Sequence, residues 1–384
     1  MKARRWWAWP LTPAYAVGLA VKDGLRAVGV LKTRKLGWPV VSVGSLSAGG
    51  AGKTPVVIGL ARLLGERGWS VDVLSRGYGR EGVAVERVSW PGERRRHAEK
   101  LPITAGRESD ARRFGDEPVL IARSARVPVW VGADRYAVGK VAEETAERES
   151  KAGSIDHPDD GTWDGKTERR GRYCGPVMAG NGRCVHLLDD GFQHRGLARS
   201  FDVVLVTAAD LDDALLPAGN RRESLSALER ADAVIIRQQE WKAIKQRVRE
   251  LTRPGTPLWP VERKLRFPAP LGVLSAGLRP VAFCAIARPE GFGEMLHEAG
   301  CGVIDTVVFG DHHSYSEDGI EHIITMARAL RATGLVTTEK DAVKLTGAMR
   351  KRLESSVGPL VVVELEVEFL NRAEVVTEIE ERLA

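Results

Sequence analysis

Short apolar runs rich in β-branched residues recur along the chain, separated by stretches with helical spacing. The runs at 39–44, 71–75, 127–131, 184–188, 203–206 and 233–236 hold apolar residues at successive positions, not at alternate ones. That pattern suits strands covered on both faces, as in a parallel sheet flanked by helices. A proline-rich stretch at 254–270 reads as a boundary. Beyond it, runs at 281–286, 303–309, 335–338 and 360–363 again alternate with helices. The expected architecture is α/β, in two lobes at 36–265 and 266–384, with the active site in the cleft between them. Residues 146–182 are rich in Asp, Glu, Lys, Arg and Gly and have no apolar period, so a mobile surface insertion is expected there.

The first 35 residues follow a different pattern. Their longest uncharged run, 6–21, is broken by Pro10 and Pro13 and is shorter than the roughly 20 residues of a spanning helix. Lys22 and Asp23 follow where a signal peptide would carry small residues for cleavage. On a helix at about 100° per residue, Val17, Val21, Leu25 and Val28 fall on one side, with Lys22, Asp23 and Arg26 opposite. Trp6, Trp7 and Trp9 stand in front, beside Lys2, Arg4 and Arg5. This is the composition of an amphipathic helix lying in a lipid headgroup layer. A helix packed by its apolar face onto the domain would show the same periodicity.

Charge sharpens that picture. The net charge is +6, yet residues 1–35 hold eight Lys or Arg and one acid, a local +7, so the remainder sums to −1. The basic surplus therefore sits in the N-terminal segment, where anionic lipid is the expected partner, and no broad basic face for nucleic acid is expected. With 384 residues, 43% hydrophobic and 28% charged, the chain can bury a core in two domains. Four cysteines without regular spacing argue against a disulfide framework or zinc site and fit a reducing compartment.

Two motifs carry chemistry. The strand at 39–44 runs into Ser45-Leu-Ser-Ala-Gly49-Gly50-Ala51-Gly52-Lys53-Thr54 and then a helix, the context of a phosphate-binding P-loop. Glycines there let backbone N–H groups curl around phosphate oxygens at a helix N-terminus. Lys53 would reach the β- and γ-phosphates and Thr54 would hold Mg²⁺. Ser47 stands where the motif has its first glycine. The strand at 184–188 ends in Asp189-Asp190-Gly191-Phe192-Gln193-His194, as a Walker B carboxylate would. Adjacent aspartates point to opposite sides, so one of the two is expected at the metal. Gly115-Asp116-Glu117-Pro118 opens a helix, where first-turn acids serve as caps as readily as catalysts. Asp311-His312-His313 lies in a loop; neighbouring histidines rarely share a metal, so a catalytic or hydrogen-bonding histidine is expected.

Taken together, these stretches resemble the tetraacyldisaccharide 4′-kinase (lipid A 4′-kinase) family. The resemblance runs in order through Val43-Gly44-Ser45, Gly49 to Pro55, Ser75-Arg76-Gly77-Tyr78-Gly79, Gly115 to Pro118, Asp134-Arg135 and Leu188 to His194. It continues through Leu216-Pro217-Ala218-Gly219, Arg222-Glu223, Ala287-Arg288-Pro289, Phe309 with Asp311-His312, and Thr338-Glu339-Lys340-Asp341. It implies a P-loop NTPase-type core, ATP and Mg²⁺, and phosphoryl transfer to the 4′-hydroxyl of an acylated glucosamine disaccharide 1-phosphate. It implies Asp116 and His312 as the pair activating that hydroxyl, with Lys53 on the nucleotide. Thr54, Glu117, Asp189 and Asp190 would serve the metal, and Arg76, Arg135, Gln193, His194 and Arg222 the substrate. A monomer, peripheral on the cytoplasmic face of the inner membrane, is the implied setting.

Ser45, Asn220 and Ser224 depart from the family's usual residues, at positions given no catalytic role here. A P-loop GTPase or metallochaperone-type switch is the rival reading. Ala48 stands where many such proteins carry a lysine, and Thr338-Glu339-Lys340-Asp341 only loosely echoes a guanine-binding motif. A scaffold with a vestigial loop would not need Lys53, Thr54, Asp189 and Asp190 intact.

Overall fold

The structure, a computed structural model, describes residues 5–49, 52–78, 80, 82, 84–90, 111–153, 182–268 and 278–383. Among them are twelve strands: β1 (Val40–Ser45), β2 (Ser70–Ser75), β3 (Glu86–Val88), β4 (Val129–Val131), β5 (Cys184–Asp189), β6 (Phe201–Val206), β7 (Ala233–Arg237), β8 (Leu258–Arg266), β9 (Pro280–Cys284), β10 (Thr306–Val308), β11 (Gly334–Thr338) and β12 (Leu360–Phe369). They form one sheet in the order β10-β9-β11-β12-β8-β7-β6-β1-β5-β2-β4-β3. β1 lies between β5 and β6, parallel to both, and all six of its residues are buried. Apolar residues at successive positions are thus explained: both faces of this strand are covered.

Two arrays, parallel apart from the edge strand β3, meet at the antiparallel pair of β8 and β12. β12 pairs parallel with β11 over Leu360–Val363, then antiparallel with β8 from Glu364 to Phe369. β8 corrects the reading of 254–270 as a boundary. The prolines there punctuate the sequence, but a proline keeps its carbonyl, and Pro257 accepts from the Val234 N–H at 3.0 Å. The expected division at 265/266 therefore falls at the β8·β12 seam of a continuous sheet. The run at 303–309 supplies only the three residues of β10.

Five helices of the first half matter below: α1 (Thr12–Ala27), α2 (Lys53–Glu66), α3 (Ala111–Phe114), α4 (Asp116–Ala125) and α5 (Arg135–Gly153). α2 buries Val56, Val57, Leu60, Ala61 and Leu64 in a core shared with β1, β5 and the terminal helix Arg372–Leu383, which contributes Val375 and Ile379. Fully burying each such side chain is worth about 1.5–3 kcal/mol. The terminal helix is tied to the first half by Trp259 Nε1–H donating to Glu378 (2.6 Å) and Trp69 Nε1–H to Glu380 (3.0 Å). A second core, including Phe283, Ile320, Ile323, Leu335 and Leu353, serves the other array. α5 continues to Gly153, so the start of the expected insertion is helical; residues 154–181 lie outside the described residues.

The N-terminal segment is a 3₁₀ turn, Trp6–Leu11, followed by α1, with Pro13 in the first turn where its missing N–H does no harm. α1 buries no residue. Tyr15, Ala16, Leu19 and Arg26 face the body: Tyr15 donates to the Arg222 carbonyl (2.9 Å), and Asp23 at the rim pairs with Arg195. Val17, Val21, Leu25 and Val28 face outward, with Trp7 63% and Val28 73% exposed. The alternative of a helix packed by its apolar face onto the domain is thereby excluded. No described helix is long and apolar enough to cross a membrane.

Candidate active site

Parallel strands deliver their C-terminal ends to one edge of the sheet, and the loops after β1, β2 and β5 meet there. Gly44 makes that meeting possible. A Cβ on it would collide with Phe192, so only glycine lets the loop after β5 lie against β1. Gln193 then donates to the Ser45 carbonyl at 3.0 Å. Gly52, in the left-handed conformation, opens α2, and Lys53 folds back with Nζ 3.2 Å from Ser45 Oγ and 3.3 Å from Asp190 Oδ1. Gly50 and Ala51 lie outside the described residues. Gly49 and Thr54 occupy their expected places at the loop and at the start of α2.

The structure separates two aspartates that adjacency alone left equivalent. Asp190, at a left-handed φ of 51°, takes both guanidinium nitrogens of Arg222 at 2.7 Å. Burial opposes its ionisation, but the Arg222 hydrogen bonds and Lys53 hold its carboxyl down at about 2. Asp189 is buried and accepts from Ser75 Oγ at 3.0 Å, while its Oδ1 has no partner. Burial, then the charges of Glu117 and Asp190, push it up to about 7. A buried, orphaned carboxylate oxygen beside a second acid fits a cation. No three His, Cys, Asp or Glu side chains among the described residues form a metal cage. Mg²⁺ at a phosphoryl-transfer site needs only one or two carboxylates, because substrate phosphates complete its shell. Arg222, expected at the substrate, and Asp190, expected at the metal, are instead bound to each other.

The second cluster joins residues from opposite halves of the chain. Gly115, with φ 90°, caps α4, and a Cβ there would lie 2.9 Å from the Tyr78 carbonyl, so glycine is required. α4 therefore begins with Asp116 and Glu117 in its first turn, where Asp116 Oδ1 accepts from the Glu117 backbone N–H at 2.9 Å and Oδ2 is left for a partner across the site. Asp116 is buried, and His312, itself at a left-handed φ of 59°, places Nδ1 3.0 Å from Asp116 Oδ2. Lys340 stands 3.8 Å from Asp116, 3.8 Å from Glu117 and 3.7 Å from Asp311. Burial works to raise Asp116, but the His312 hydrogen bond and Lys340 hold it below the usual carboxylate range. His312 is raised by that hydrogen bond, against burial and Lys340. Nothing in its local sequence marks Lys340, a lysine at a helix start, as a neighbour of Asp116 and Glu117 in the other half of the chain.

The remaining expected residues surround these clusters. Arg135 is buried, donates to the carbonyls of Gly132 and Ala133, and has an orphaned Nε. Burial and then Arg76 lower it, while Asp189 and Asp190 oppose. Exposed Arg76 thus stands near Arg135. His194 is depressed to about 4 by burial, Arg135 and Arg199, which keeps it a neutral imidazole near neutral pH. Ser75 and Ser45, given no role from the sequence, emerge as partners of Asp189 and Lys53.

The family model for tetraacyldisaccharide-1-P 4′-kinase matches residues 4–384. The tetraacyldisaccharide 4′-kinase of Koribacter versatilis is 37% identical over 345 residues, covering 88% of each chain. That of Geobacter metallireducens is 33% identical, covering 89% of each. Among solved structures, the "apo" form of LpxK from Aquifex aeolicus in complex with ATP superposes with a TM-score of 0.68 at 28% identity, over 98% of both chains.

Proposed function

The chain belongs to the tetraacyldisaccharide-1-P 4′-kinase family, and from that premise we propose how its residues divide the reaction. It is an ATP-dependent kinase that transfers the γ-phosphoryl group to the 4′-hydroxyl of tetraacyldisaccharide 1-phosphate in lipid A biosynthesis. The switch-protein alternative finds no support. The observation that carries the division of labour is the Asp116–His312 hydrogen bond, with Glu117 next to Asp116 close enough for its charge to act on Asp189.

Asp116 accepts from His312 Nδ1–H and so leaves Nε2 as the acceptor for the sugar hydroxyl proton. The hydroxyl oxygen forms a bond to the γ-phosphorus, the bond to the β–γ bridging oxygen breaks, and ADP departs. Lys53 and the loop amides bind the triphosphate. Thr54, Asp189 and Glu117 fit Mg²⁺, which when bound would neutralise charge on the β- and γ-phosphates. Arg76 and Arg135, with Gln193 and His194 beside them, face the sugar phosphate, a task that suits guanidinium forks. ATP arrival would free Asp190 from Lys53, leaving Arg222 as its partner. The residues at 36–265 and 266–384 supply Asp116 and His312 respectively, so both halves contribute to the site.

The outward-facing tryptophans and valines of 7–28 lie against the cytoplasmic face of the inner membrane, holding the monomeric enzyme where its lipid substrate resides. Because α1 touches the Arg222 carbonyl, the lipid would enter beside the site. Replacing Trp7 and Trp9 by serine should weaken co-sedimentation with phosphatidylglycerol vesicles while leaving ATP binding unchanged; unaltered sedimentation would refute the docking. The activity test is transfer of radiolabelled γ-phosphate from ATP to the tetraacyl disaccharide 1-phosphate in detergent micelles. A Mg²⁺-dependent product, lost in Lys53→Ala, is expected. If the lipid stayed unlabelled while nucleotide bound, the acceptor would have to be another lipid-linked sugar.

A further inference from the structure

One guanidinium beside the phosphate loop has no use in the assignments above. β1 has β5, which carries Asp189, on one side and β6 on the other. Arg263, on β8, reaches toward the loop from the β6 side. A Cβ built on Gly52 would lie 3.9 Å from Arg263 Nη1 and 4.0 Å from Leu205 Cδ2 of β6. Gly52 immediately precedes Lys53, so Arg263 stands at the phosphate-binding turn itself.

Among the described residues no acid is bonded to it. Arg263 Nε is buried without a hydrogen-bond partner. Its charged neighbours are Arg237, Arg288 and Glu240. Glu240 is already held by Arg237 through two hydrogen bonds of 2.8 Å. Burial, then Arg237 and Arg288, lower the Arg263 guanidinium to about 10. Half-burying a cation with two like charges and no free acid is unfavourable for the empty protein. Such a group is stabilised when an anion arrives, and the anion a P-loop receives is a nucleotide phosphate.

We propose that Arg263 is an ATP-binding residue that grips a phosphate oxygen from the β6 side of the loop, opposite the carboxylates of Asp189 and Glu117. The planar fork can bind two oxygens at once, and the absence of a side chain on Gly52 leaves the path open. The triphosphate is then held from both flanks, by Lys53 and the acids' cation on one side and by Arg263 on the other. This rests on the use of ATP and not on the roles given to Asp116 and His312. Asp116→Ala therefore serves as an independent control that should keep ATP affinity while losing turnover.

The experiment is equilibrium binding of ATP and of adenosine to the full chain in detergent, for the parent, Arg263→Met and Arg263→Gln. Loss of one charge-assisted phosphate contact should weaken ATP binding roughly 10- to 100-fold in both variants. Adenosine affinity should stay the same. The unliganded Tm should be unchanged or higher, because an uncompensated charge has been removed; a structural arginine would instead lower it. Repeating the titration with ADP and AMP identifies the phosphate, since the difference between parent and variant disappears once that group is missing. Unchanged ATP affinity in either variant, or equal losses for ATP and adenosine, would overturn the proposal.

Discussion

His186 and His312 each share a ring nitrogen with an aspartate, yet the two pairs live in opposite surroundings. His186, on β5, is fully buried, bonded to Asp72 of β2, and has Nε2 3.5 Å from Glu143 of α5. Trp38 stacks on it at 4.9 Å and also donates its backbone N–H to Glu143 at 2.7 Å. Burial opposes a charge there, but the two acids prevail and raise His186 to about 9. His312 is hydrogen-bonded to Asp116 and has Asp311 3.9 Å from Nε2, but it keeps 35% of its side chain exposed and has Lys340 working against its protonation. The same residue types therefore make a charged cross-link in one place and an accessible proton acceptor in the other. Burial and the presence of an opposing cation, Lys340, decide which.

The comparison breaks most visibly if the roles exchange on mutation. His312→Ala should lower kcat by roughly 10²- to 10⁴-fold, the range of a lost general base, with Tm and ATP affinity close to the parent's. Steady-state kinetics beside a thermal scan would read both, and a large fall in Tm would make His312 structural after all. His186→Ala should do the converse. It leaves Asp72 buried without its cation, although Glu143 keeps Lys140 at 3.0 Å. The expected loss is about 3–5 kcal/mol in denaturant titration, while turnover per folded molecule is retained.

Lys340→Met removes the cation shared by Asp116, Glu117 and Asp311 and should cost roughly 10- to 100-fold in kcat through misplacement of the pair. KM for ATP should hold. If Lys340 acts by offsetting the acids, adding Asp311→Asn should recover part of the loss; strictly additive losses would argue against it. The smallest effect is a pH slope. His186 has a folded value near 9, above the ordinary 6.5. Its contribution to stability is complete below about 6.5 and fades as pH rises toward about 9. Denaturant midpoints across that window should fall in the parent, and the slope should be shallower in His186→Ala.

Legibility followed the range of the interactions involved. The run at 39–44, the glycines after it and Lys53 could be read because a strand, a turn and a helix start are specified by neighbours in sequence. The outward apolar stripe of α1 was also legible as periodicity, but not which side it would face. β8 was hidden because prolines mark turns locally, while its pairing with β7 and β12 depends on distant segments. Asp116 and His312 were matched through family resemblance, since no spacing rule links residues 196 positions apart.

The sequence by itself determined that this chain binds nucleotide at a strand–glycine loop–helix turn, that acids end a second apolar strand, and that its basic surplus sits at one end. Only the tertiary structure decided that Asp190 belongs to Arg222 while Asp189 keeps a free oxygen, that Lys340 joins three acids, and that Arg263 stands unpaired at Gly52. The reason is that backbone preference and apolar period act over a few residues. Charge balance and desolvation depend on whatever the fold brings within a few ångströms.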